Sequence, residues 1–214
     1  MSEALRTALC AAGRRLVAAD LIGAAEGNLS ARLAGGTFLV TPSGLSKAAL
    51  EPGQLLEVDA AGRMVGGAGR PSTELPMHLC AYAARPDAMA LVHAHPITAV
   101  GFTIAGAAWP GDLVPEAAVT LGRVAVAPFA TPGTAEVPAS LAPYLAGHDV
   151  ILLSRHGALC LGATVEEALG RMETLERVAR MALVALALGR CEPLPQAIVE
   201  EVLRAAGKAP RGAR

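Results

Sequence analysis

The chain is poor in cysteine, and this restricts the kinds of site it can build. Its 214 residues include only four cysteines, and no two of them form a C-x-x-C pair. They lie far apart in the chain, at Cys10, Cys80, Cys160 and Cys191. We therefore expect reduced thiols rather than a disulfide framework or a cysteine zinc site. A metal bound by this chain would have to use histidine and carboxylate ligands.

No apolar run is long enough to cross a membrane. The longest, MALVALALG at 181–189, is far shorter than the ~20 residues that a membrane helix needs. The N-terminal segment intersperses Glu3, Arg6, Arg14 and Arg15 among its apolar positions. It therefore lacks the unbroken apolar core of a signal peptide. We expect a cytoplasmic protein with no membrane partner.

Neither sign of charge dominates the chain. Eighteen lysines and arginines stand against nineteen aspartates and glutamates, for a formal net charge of −1. This balance gives no electrostatic reason to expect a nucleic-acid partner or an anionic membrane surface. We expect the partner to be a small molecule, bound by one domain with a complete hydrophobic core.

The N-terminal half of the sequence predicts helices and short strands in alternation. Residues 3–22 form an amphipathic pattern that Gly23 should end. GNLSARL at 27–33 and TFLVTP at 37–42 predict a β-hairpin about the turn 34–36. A further strand is predicted at 55–59, followed by a helix that ends before Pro86. We expect Thr73 to cap that helix and Pro76 to occupy its first turn.

The C-terminal half continues this alternation. AMALVHAH at 88–95 is apolar and short enough to be a buried strand, which Pro96 closes. VAVAPF at 124–129 and DVILLSRHG at 149–157 predict further strands. A long helix is predicted from Thr164, its cap, to Gly189, its stop. Residues 206–214 predict a mobile tail after a domain of residues 1–205.

Two histidines separated by one residue suggest a metal site. Along a strand, residues i and i+2 point to the same side, so His93 and His95 should lie side by side with Ala94 turned away. His156 also follows an apolar strand, and Glu74 at the start of the second helix offers an oxygen ligand. In the alternative interpretation, the histidine pair is simply half-buried and hydrogen-bonded. His78 lies one helical turn from Glu74 and could face the same site, although a core or surface position is more typical.

Three short segments have the composition of anion-binding turns. They are GNLS at 27–30, TPSG at 41–44 and PST at 71–73, the last opening a helix whose free N–H groups suit a phosphate. Each segment is also an ordinary turn or cap sequence. Their combination, with Glu74 adjacent to the third, favours a binding site.

Six motifs together resemble the class II aldolase/adducin head family, from about residue 5 to residue 190. In order they are EGNLSARL, FLVTPSGLS, PSTELPMHL, ALVHAHP, VAPFATPGT and VILLSRHGAL. Within the family they are most similar to the L-fuculose-phosphate aldolases. The resemblance implies one three-layer α/β domain with a mostly antiparallel central sheet covered by helices. It also implies a homotetramer with active sites between subunits.

The resemblance also implies roles for particular residues. Zinc, or another divalent transition metal, would be held by His93, His95 and His156. Glu74 would be the fourth ligand in the resting enzyme and the acid/base during turnover. The implied phosphate site consists of Gly27, Asn28, Ser43, Gly44, Ser72 and Thr73. The implied substrate is a phosphorylated ketose such as L-fuculose 1-phosphate, which is cleaved to dihydroxyacetone phosphate and an aldehyde.

The scarcity of lysine agrees with a metal-dependent mechanism. Aldol cleavage needs an electron sink, either a lysine iminium or a metal Lewis acid. The chain has only Lys47, in a predicted turn, and Lys208, in the predicted tail. Neither lies in an apolar strand that would desolvate its amine, so we favour the metal.

The chain also departs from the pattern of the L-fuculose-phosphate aldolases. Those enzymes are expected to use one tyrosine in the middle of the chain and one in the C-terminal tail for the aldehyde half of the substrate. Here the only tyrosines are Tyr82 and Tyr144, and Glu116 is the ionisable group nearest to the middle position. Three alternatives follow from the family: methylthioribulose-1-phosphate dehydratase, pentulose-phosphate 4-epimerase and a non-catalytic adducin-like interaction module.

Overall fold

A single eight-stranded sheet organises the chain. In the computed structural model, residues 2–23 and 25–209 are described. The strands are β1 Asn28–Arg32, β2 Phe38–Val40, β3 Leu56–Val58, β4 Met64–Gly66, β5 Ala90–Ala94, β6 Val124–Ala127, β7 Val150–Leu153 and β8 Gly157–Gly162. Their order in the sheet is β4-β3-β2-β1-β5-β8-β7-β6. Neighbouring strands are antiparallel except for β6 and β7, so the expected mostly antiparallel sheet is confirmed.

Helices cover both faces of this sheet. They are α1 Ser2–Ala18, α2 Leu75–Ala84, α3 Ile97–Ile104, α4 Glu136–Leu145 and α5 Val165–Ala187, whereas α6 Gln196–Ala205 packs against Ala118. One hydrophobic core joins the sheet to α1, α3 and α5, and a second joins the opposite face to α2 and α4. The domain therefore has the three layers that the family resemblance implied.

The alternation of side chains in β5 determines which layer each residue enters. Val92 and Ala94 belong to the core on the α1, α3 and α5 side, whereas Leu91 belongs to the core beneath α2 and α4. His93 is two residues from Leu91 and so shares its face. The histidine consequently points towards α2, the helix that begins beside Glu74.

The predicted ends of the helices are partly wrong. Helix α1 ends at Ala18 and not near residue 22, because Asp20 adopts a left-handed conformation with a φ of 57° that breaks the helix. Thr73 does not cap α2: the cap position is Glu74, and Ser72 Oγ accepts a hydrogen bond from the Glu74 N–H. Thr164 does cap α5, accepting from the Glu167 N–H at 3.1 Å.

The structure adds elements that the sequence patterns did not predict. These are β4, β8, α3, α4, α6 and a π-helical segment at Ala117–Leu121.

No helix within the described residues is long and apolar enough to span a membrane. Of the predicted tail, residues 206–209 follow α6, and Lys208 Nζ donates to Val119 O at 2.6 Å. Residues 210–214 lie outside the described residues.

Candidate active site

Three strands meet at one edge of the sheet and determine the position of the site. Both β5 and β7 are antiparallel to β8, so their C-terminal ends lie at the same edge. His95 follows β5, and His156 lies in the turn between β7 and β8. The first residue of β1, Asn28, pairs with His93 at this edge. The expected convergence of the two strand ends therefore occurs, with β8 between them.

The three predicted histidines form one cluster. Each offers a ring nitrogen, and these atoms all lie within 4.8 Å of one another. The Nε2 atoms of His93 and His95 are 3.3 Å apart. His93 is fully buried and His156 nearly so, whereas His95 remains partly accessible. The cluster therefore has one open side through which a small molecule could approach.

Hydrogen bonds to the far ring nitrogens fix the tautomers of two of these histidines. His93 Nδ1 lies 2.9 Å from Ala158 O, and a carbonyl oxygen only accepts, so Nδ1 carries the proton. His95 Nδ1 lies 3.2 Å from the Glu26 carboxylate and is protonated for the same reason. Neutral His93 and His95 then direct their Nε2 lone pairs into the cluster, which is the form that binds a metal.

Glu74 closes the cluster from the α2 side. Its Oε1 lies 3.0 Å from His156 Nε2, and its Oε2 lies 3.2 Å from His93 Nε2. Burial raises the pKa of this carboxyl, but contacts with the His156 ring and the Asn28 amide lower it more strongly. The net effect holds the pKa of Glu74 well below its usual range, so the carboxylate is ionised at neutral pH.

This donor set fits a divalent cation. Lone pairs of His93 Nε2, His95 Nε2 and the Glu74 carboxylate face one another at close range, and such an arrangement is repulsive unless a cation lies between them. Glu74 Oε1 is moreover buried and, although it lies 3.0 Å from His156 Nε2, it forms no hydrogen bond of good geometry with the described residues. Three imidazoles and one carboxylate are typical ligands of zinc and of related transition metals. The cluster could therefore hold a metal ion.

Gly157 allows the strands to approach closely enough to form the cluster. A Cβ atom at this position would lie 2.5 Å from Ala94 O, 2.8 Å from His95 Cδ2 and 3.0 Å from His93 Cε1. Carbon atoms do not approach backbone oxygens or buried rings so closely. A glycine after His156 is therefore required by packing.

We expect a Gly157→Ala substitution to displace the histidines and to destabilise the fold by about 1–3 kcal/mol, the usual cost of overpacking. Urea unfolding and titration with a chromophoric chelator would measure the two effects. Gly170→Ala is the matched control, because nothing lies within 4 Å of a Cβ at that position in α5. Equal stability and equal metal affinity in the two variants would contradict this role of Gly157.

Glu26 is a functional candidate that the sequence analysis missed. Its Oε2 accepts from His95 Nδ1 at 3.2 Å and from the Gly23 N–H at 3.0 Å. These hydrogen bonds, the one from Gly23 first, lower the pKa of Glu26. Carboxylates in this position orient a ligating histidine and raise its basicity. The only signal in the sequence was an acidic residue directly before the Gly27-Asn28 pair.

Replacing Glu26 by alanine should weaken metal binding about 10-fold, the lower end of the range for such partners, because the carboxylate is 57 % exposed. Glu26→Gln should have a smaller effect, since its amide oxygen can still accept from His95 Nδ1. Metal affinity measured by chelator competition tests this. An affinity of Glu26→Ala equal to that of the parent would contradict the assignment.

Two of the three predicted phosphate segments contact each other directly. Asn28 Nδ2 donates to Ser72 Oγ at 3.3 Å, and to Glu74 Oε2 at 2.9 Å. The segment at 41–44 lies alongside, because a bridge joins Pro42 to Pro71 and Ser43 N donates to Arg70 O. The segments are therefore adjacent to one another and to the carboxylate.

The individual phosphate candidates differ in accessibility. Ser43, Gly44 and Thr73 are exposed, whereas Gly27 and Asn28 are buried. Gly27 has a φ of 64°, and a Cβ there would lie 2.8 Å from His93 O, so its glycine is required for packing against β5. The phosphate-binding role of all six residues stays a prediction.

The burial of Lys47 was not predicted from the sequence. It lies in a turn and not in a strand, as predicted, but its side chain is nevertheless buried, at 1 % exposed. Burial lowers its pKa. Its Nζ donates to Ala25 O at 3.1 Å and to Leu45 O at 3.0 Å, next to two of the phosphate segments. These bonds favour the charged ammonium over the free amine that Schiff-base chemistry needs.

The remaining candidates lie apart from the metal cluster or behind it. His78 is 2 % exposed in the core under α2, and Tyr82 is buried beside it. Tyr144 packs against His148, with ring centroids 6.2 Å apart. Glu116 is exposed and directly precedes the π-helical segment.

Known proteins resemble this chain over most of its length. Residues 7–183 match the family model described as the class II aldolase and adducin N-terminal domain. A 5-methylthioribulose-1-phosphate/5-deoxyribulose-1-phosphate aldolase of Rhodospirillum rubrum is 32% identical over 94% of this chain and 90% of that protein. A 3-oxo-tetronate 4-phosphate decarboxylase of Escherichia coli K12 is 30% identical over 74% of this chain and 76% of that protein.

A solved structure extends the similarity to three dimensions. The L-fuculose-1-phosphate aldolase of Thermus thermophilus superposes with a TM-score of 0.76 and 36% identity. The match covers 89% of this chain and 98% of that one. The expected fold and family are thereby confirmed, and this chain belongs to the class II aldolase and adducin N-terminal domain family.

Proposed function

We propose that this protein is a divalent-metal-dependent lyase, with zinc as the expected ion, that cleaves a carbon–carbon bond in a phosphorylated ketose such as L-fuculose 1-phosphate. The products would be dihydroxyacetone phosphate and an aldehyde. The observation that carries the proposal is the placement of an ionised carboxylate, Glu74, between a histidine cluster suited to a metal and the Asn28–Ser72 contact at the predicted phosphate segments.

The chemistry assigns a task to each part. A metal held by the histidine cluster would supply a Lewis acid that polarises the ketose carbonyl and stabilises the enediolate charge. Cleavage removes the hydroxyl proton at C4, breaks the C3–C4 bond and adds a proton at C3. Glu74 is suited to the transfer at C3, because it is the carboxylate in contact with the cluster on its buried side. The segments around Ser72 would bind the phosphate and orient the chain of the sugar.

A second candidate is the decarboxylation of a 3-oxo acid phosphate, the activity named for one of the relatives. One feature favours it: the Tyr82 hydroxyl is hydrogen-bonded to Ser30 in the core, and Tyr144 packs against His148. Neither tyrosine is thus placed to accept the C4 hydroxyl proton. Loss of carbon dioxide needs the same electron sink and one proton donor but no base for a hydroxyl group.

Substrate assays with product identification test the proposal. The protein, with its metal content measured, would be offered L-fuculose 1-phosphate, 5-methylthioribulose 1-phosphate and 3-oxo-tetronate 4-phosphate. We expect dihydroxyacetone phosphate from a ketose phosphate and much slower cleavage of the same sugar without phosphate. Carbon dioxide from the third compound alone would establish the second candidate. A diketone phosphate or an epimer would favour the dehydratase or the epimerase.

Two additions to the assay test the electron sink. A chelator should abolish turnover, whereas borohydride with substrate should leave it intact, because the hydrogen bonds of Lys47 favour its charged form. A covalent adduct trapped on Lys47 would overturn the metal-dependent mechanism. Absence of turnover with every sugar phosphate, in protein loaded with metal, would support a non-catalytic adducin-like module. Size-exclusion chromatography with light scattering would test the expected homotetramer.

A further inference from the structure

A continuous chain of hydrogen bonds runs from the core under α2 to the catalytic candidate Glu74. Tyr82 Oη lies 2.9 Å from Ser30 Oγ, which lies 2.6 Å from His78 Nδ1. On the other side of the ring, His78 Nε2 lies 2.5 Å from Asn28 Oδ1. Asn28 Nδ2 then donates to Glu74 Oε2 at 2.9 Å. Apart from Glu74, every member is at most 5 % exposed.

The chemistry of the groups allows one arrangement of protons along this chain. The ionised Glu74 carboxylate only accepts, so the Asn28 amide must present its nitrogen to it and its oxygen to His78. His78 Nε2 must therefore carry a proton, which leaves Nδ1 as the acceptor in a neutral ring. Ser30 then donates to His78 Nδ1 and accepts from the Tyr82 hydroxyl.

Burial supports the neutral ring that this arrangement requires. His78 is only 2 % exposed, and this burial lowers its pKa to about 3. The ring therefore stays uncharged at the pH values at which sugar-phosphate enzymes are assayed. A neutral imidazole carries only one N–H. If Nε2 is the donor, Nδ1 must therefore be the acceptor.

The orientation of the Asn28 amide depends on this ring. If the amide turned over, its oxygen would face the Glu74 carboxylate and its nitrogen would face the His78 N–H. Both contacts would be repulsive, and two buried polar atoms would lose their partners, which is unfavourable for buried groups. The second N–H of the correctly oriented amide reaches Ser72 Oγ at 3.3 Å. The same amide thus contacts both the carboxylate and a predicted phosphate segment.

We propose that His78 is a positioning residue, which sets the orientation of the Asn28 amide and thereby holds the Glu74 carboxylate for proton transfer. Ser30 acts behind it by fixing the tautomer of the ring. The inference rests on the proposed function in one respect, namely that Glu74 transfers the proton. It gives His78 a role beyond filling the core, because the residue acts on Glu74 through the Asn28 amide.

The test compares two replacements of His78 with a matched control. His78→Phe keeps a flat ring but removes both nitrogens, so kcat should fall about 10- to 100-fold, the range for partners of this kind, with metal content unchanged. His78→Gln retains one donor and one acceptor and should recover much of the loss. His148→Phe makes the same replacement away from the site, where the ring donates to Tyr144 O and packs against the Tyr144 ring, and it should leave kcat unchanged.

A spectroscopic readout separates this inference from the proposed function. In protein with ¹⁵N-labelled histidine, the signals of His78 should be those of the neutral Nε2–H tautomer between pH 6 and 8. In addition, the Asn28 side-chain amide resonance should shift in His78→Phe but not in His148→Phe. These measurements need no substrate, so they decide the hydrogen-bond chain even if no sugar phosphate is turned over.

Three results would overturn the inference. The first is an Nδ1–H tautomer at His78, because the Asn28 amide would then be reversed. The second is parental kcat in His78→Phe. The third is a kcat loss in His78→Phe that His78→Gln does not relieve at all, since a role in packing alone predicts that outcome. If His78→Phe does not fold, the tautomer and the kcat of His78→Gln decide the matter.

Discussion

A Glu74→Gln variant should retain its metal and lose turnover, with kcat reduced about 10²- to 10⁴-fold, the usual contribution of a positioned acid/base. The substitution preserves size and one oxygen atom, and the Asn28 amide can still donate to that oxygen. Three imidazoles remain for the metal, so the bound ion should persist. What disappears is the carboxylate that we propose exchanges a proton with substrate carbon.

The control for this variant is the same substitution at a glutamate outside the site. Glu192 forms an exposed ion pair with Arg190, and Glu192→Gln should have parental kcat. If Glu74 only stabilised the start of α2, its loss would be worth ~0.3–1 kcal/mol of folding stability and nothing in turnover. A fully active Glu74→Gln enzyme with slightly lower stability would therefore refute the mechanism.

Simultaneous replacement of His93 and His95 by alanine should remove the metal. The parent should hold about one divalent ion per chain after dialysis, and the double variant less than ~0.1, because a single histidine and a carboxylate do not form a closed site. Elemental analysis by mass spectrometry gives the content directly. His148→Ala controls for the loss of an imidazole as such. Undiminished metal in the double variant would disprove the assignment of these ligands.

Metal affinity should also depend on pH in a defined direction. Ligating imidazoles must be neutral, so protons compete with the metal as the pH falls. Burial lowers the pKa of His95 below the ordinary histidine value of 6.5, although the hydrogen bond to Glu26 acts in the opposite direction. Proton competition at His95 should therefore begin below pH ~6.5. The metal affinity should be independent of pH above that value and should fall below it. Affinity that instead rose on acidification would be inconsistent with neutral imidazole ligands.

Much of the metal cluster could be predicted because strand geometry is a local property. A period of two places His93 and His95 on one side of any strand, whatever surrounds it. The convergence with His156 was also inferable, since it required only that two apolar strands end at the same edge. The sequence pattern did not predict β8, the strand that connects the two ends. Its residues GALCLG are buried on both faces, and such runs lack the alternation that identifies a half-exposed strand.

Roles that depend on distant contacts could not be predicted from local pattern. Lys47 is in a turn and carries a charge, both features of an exposed residue, yet its Nζ is enclosed against two backbone carbonyls. The predicted role of Glu26 depends on its hydrogen bond with His95, which lies 69 positions further along the chain. The position of His78 in the helical pattern predicts that it faces the core, but it does not indicate a hydrogen bond to Asn28. The pairing of β1 with β5 brings Glu26 close to His95, whereas the packing of α2 on the sheet brings His78 close to Asn28.

The sequence by itself determined the chemical inventory of this protein and its local geometry. The histidine spacing, the helix start beside Glu74, the scarcity of lysine and the absence of a cysteine pair together favoured one class of electron sink. Only the tertiary structure decided how the groups act on one another. The pairing of β1 with β5 sets Asn28 opposite His93, and the packing of α2 on that face sets His78 behind the amide. Hydrogen bonds need their atoms about 3 Å apart in a particular direction, and folding creates that proximity between residues that the chain keeps far apart.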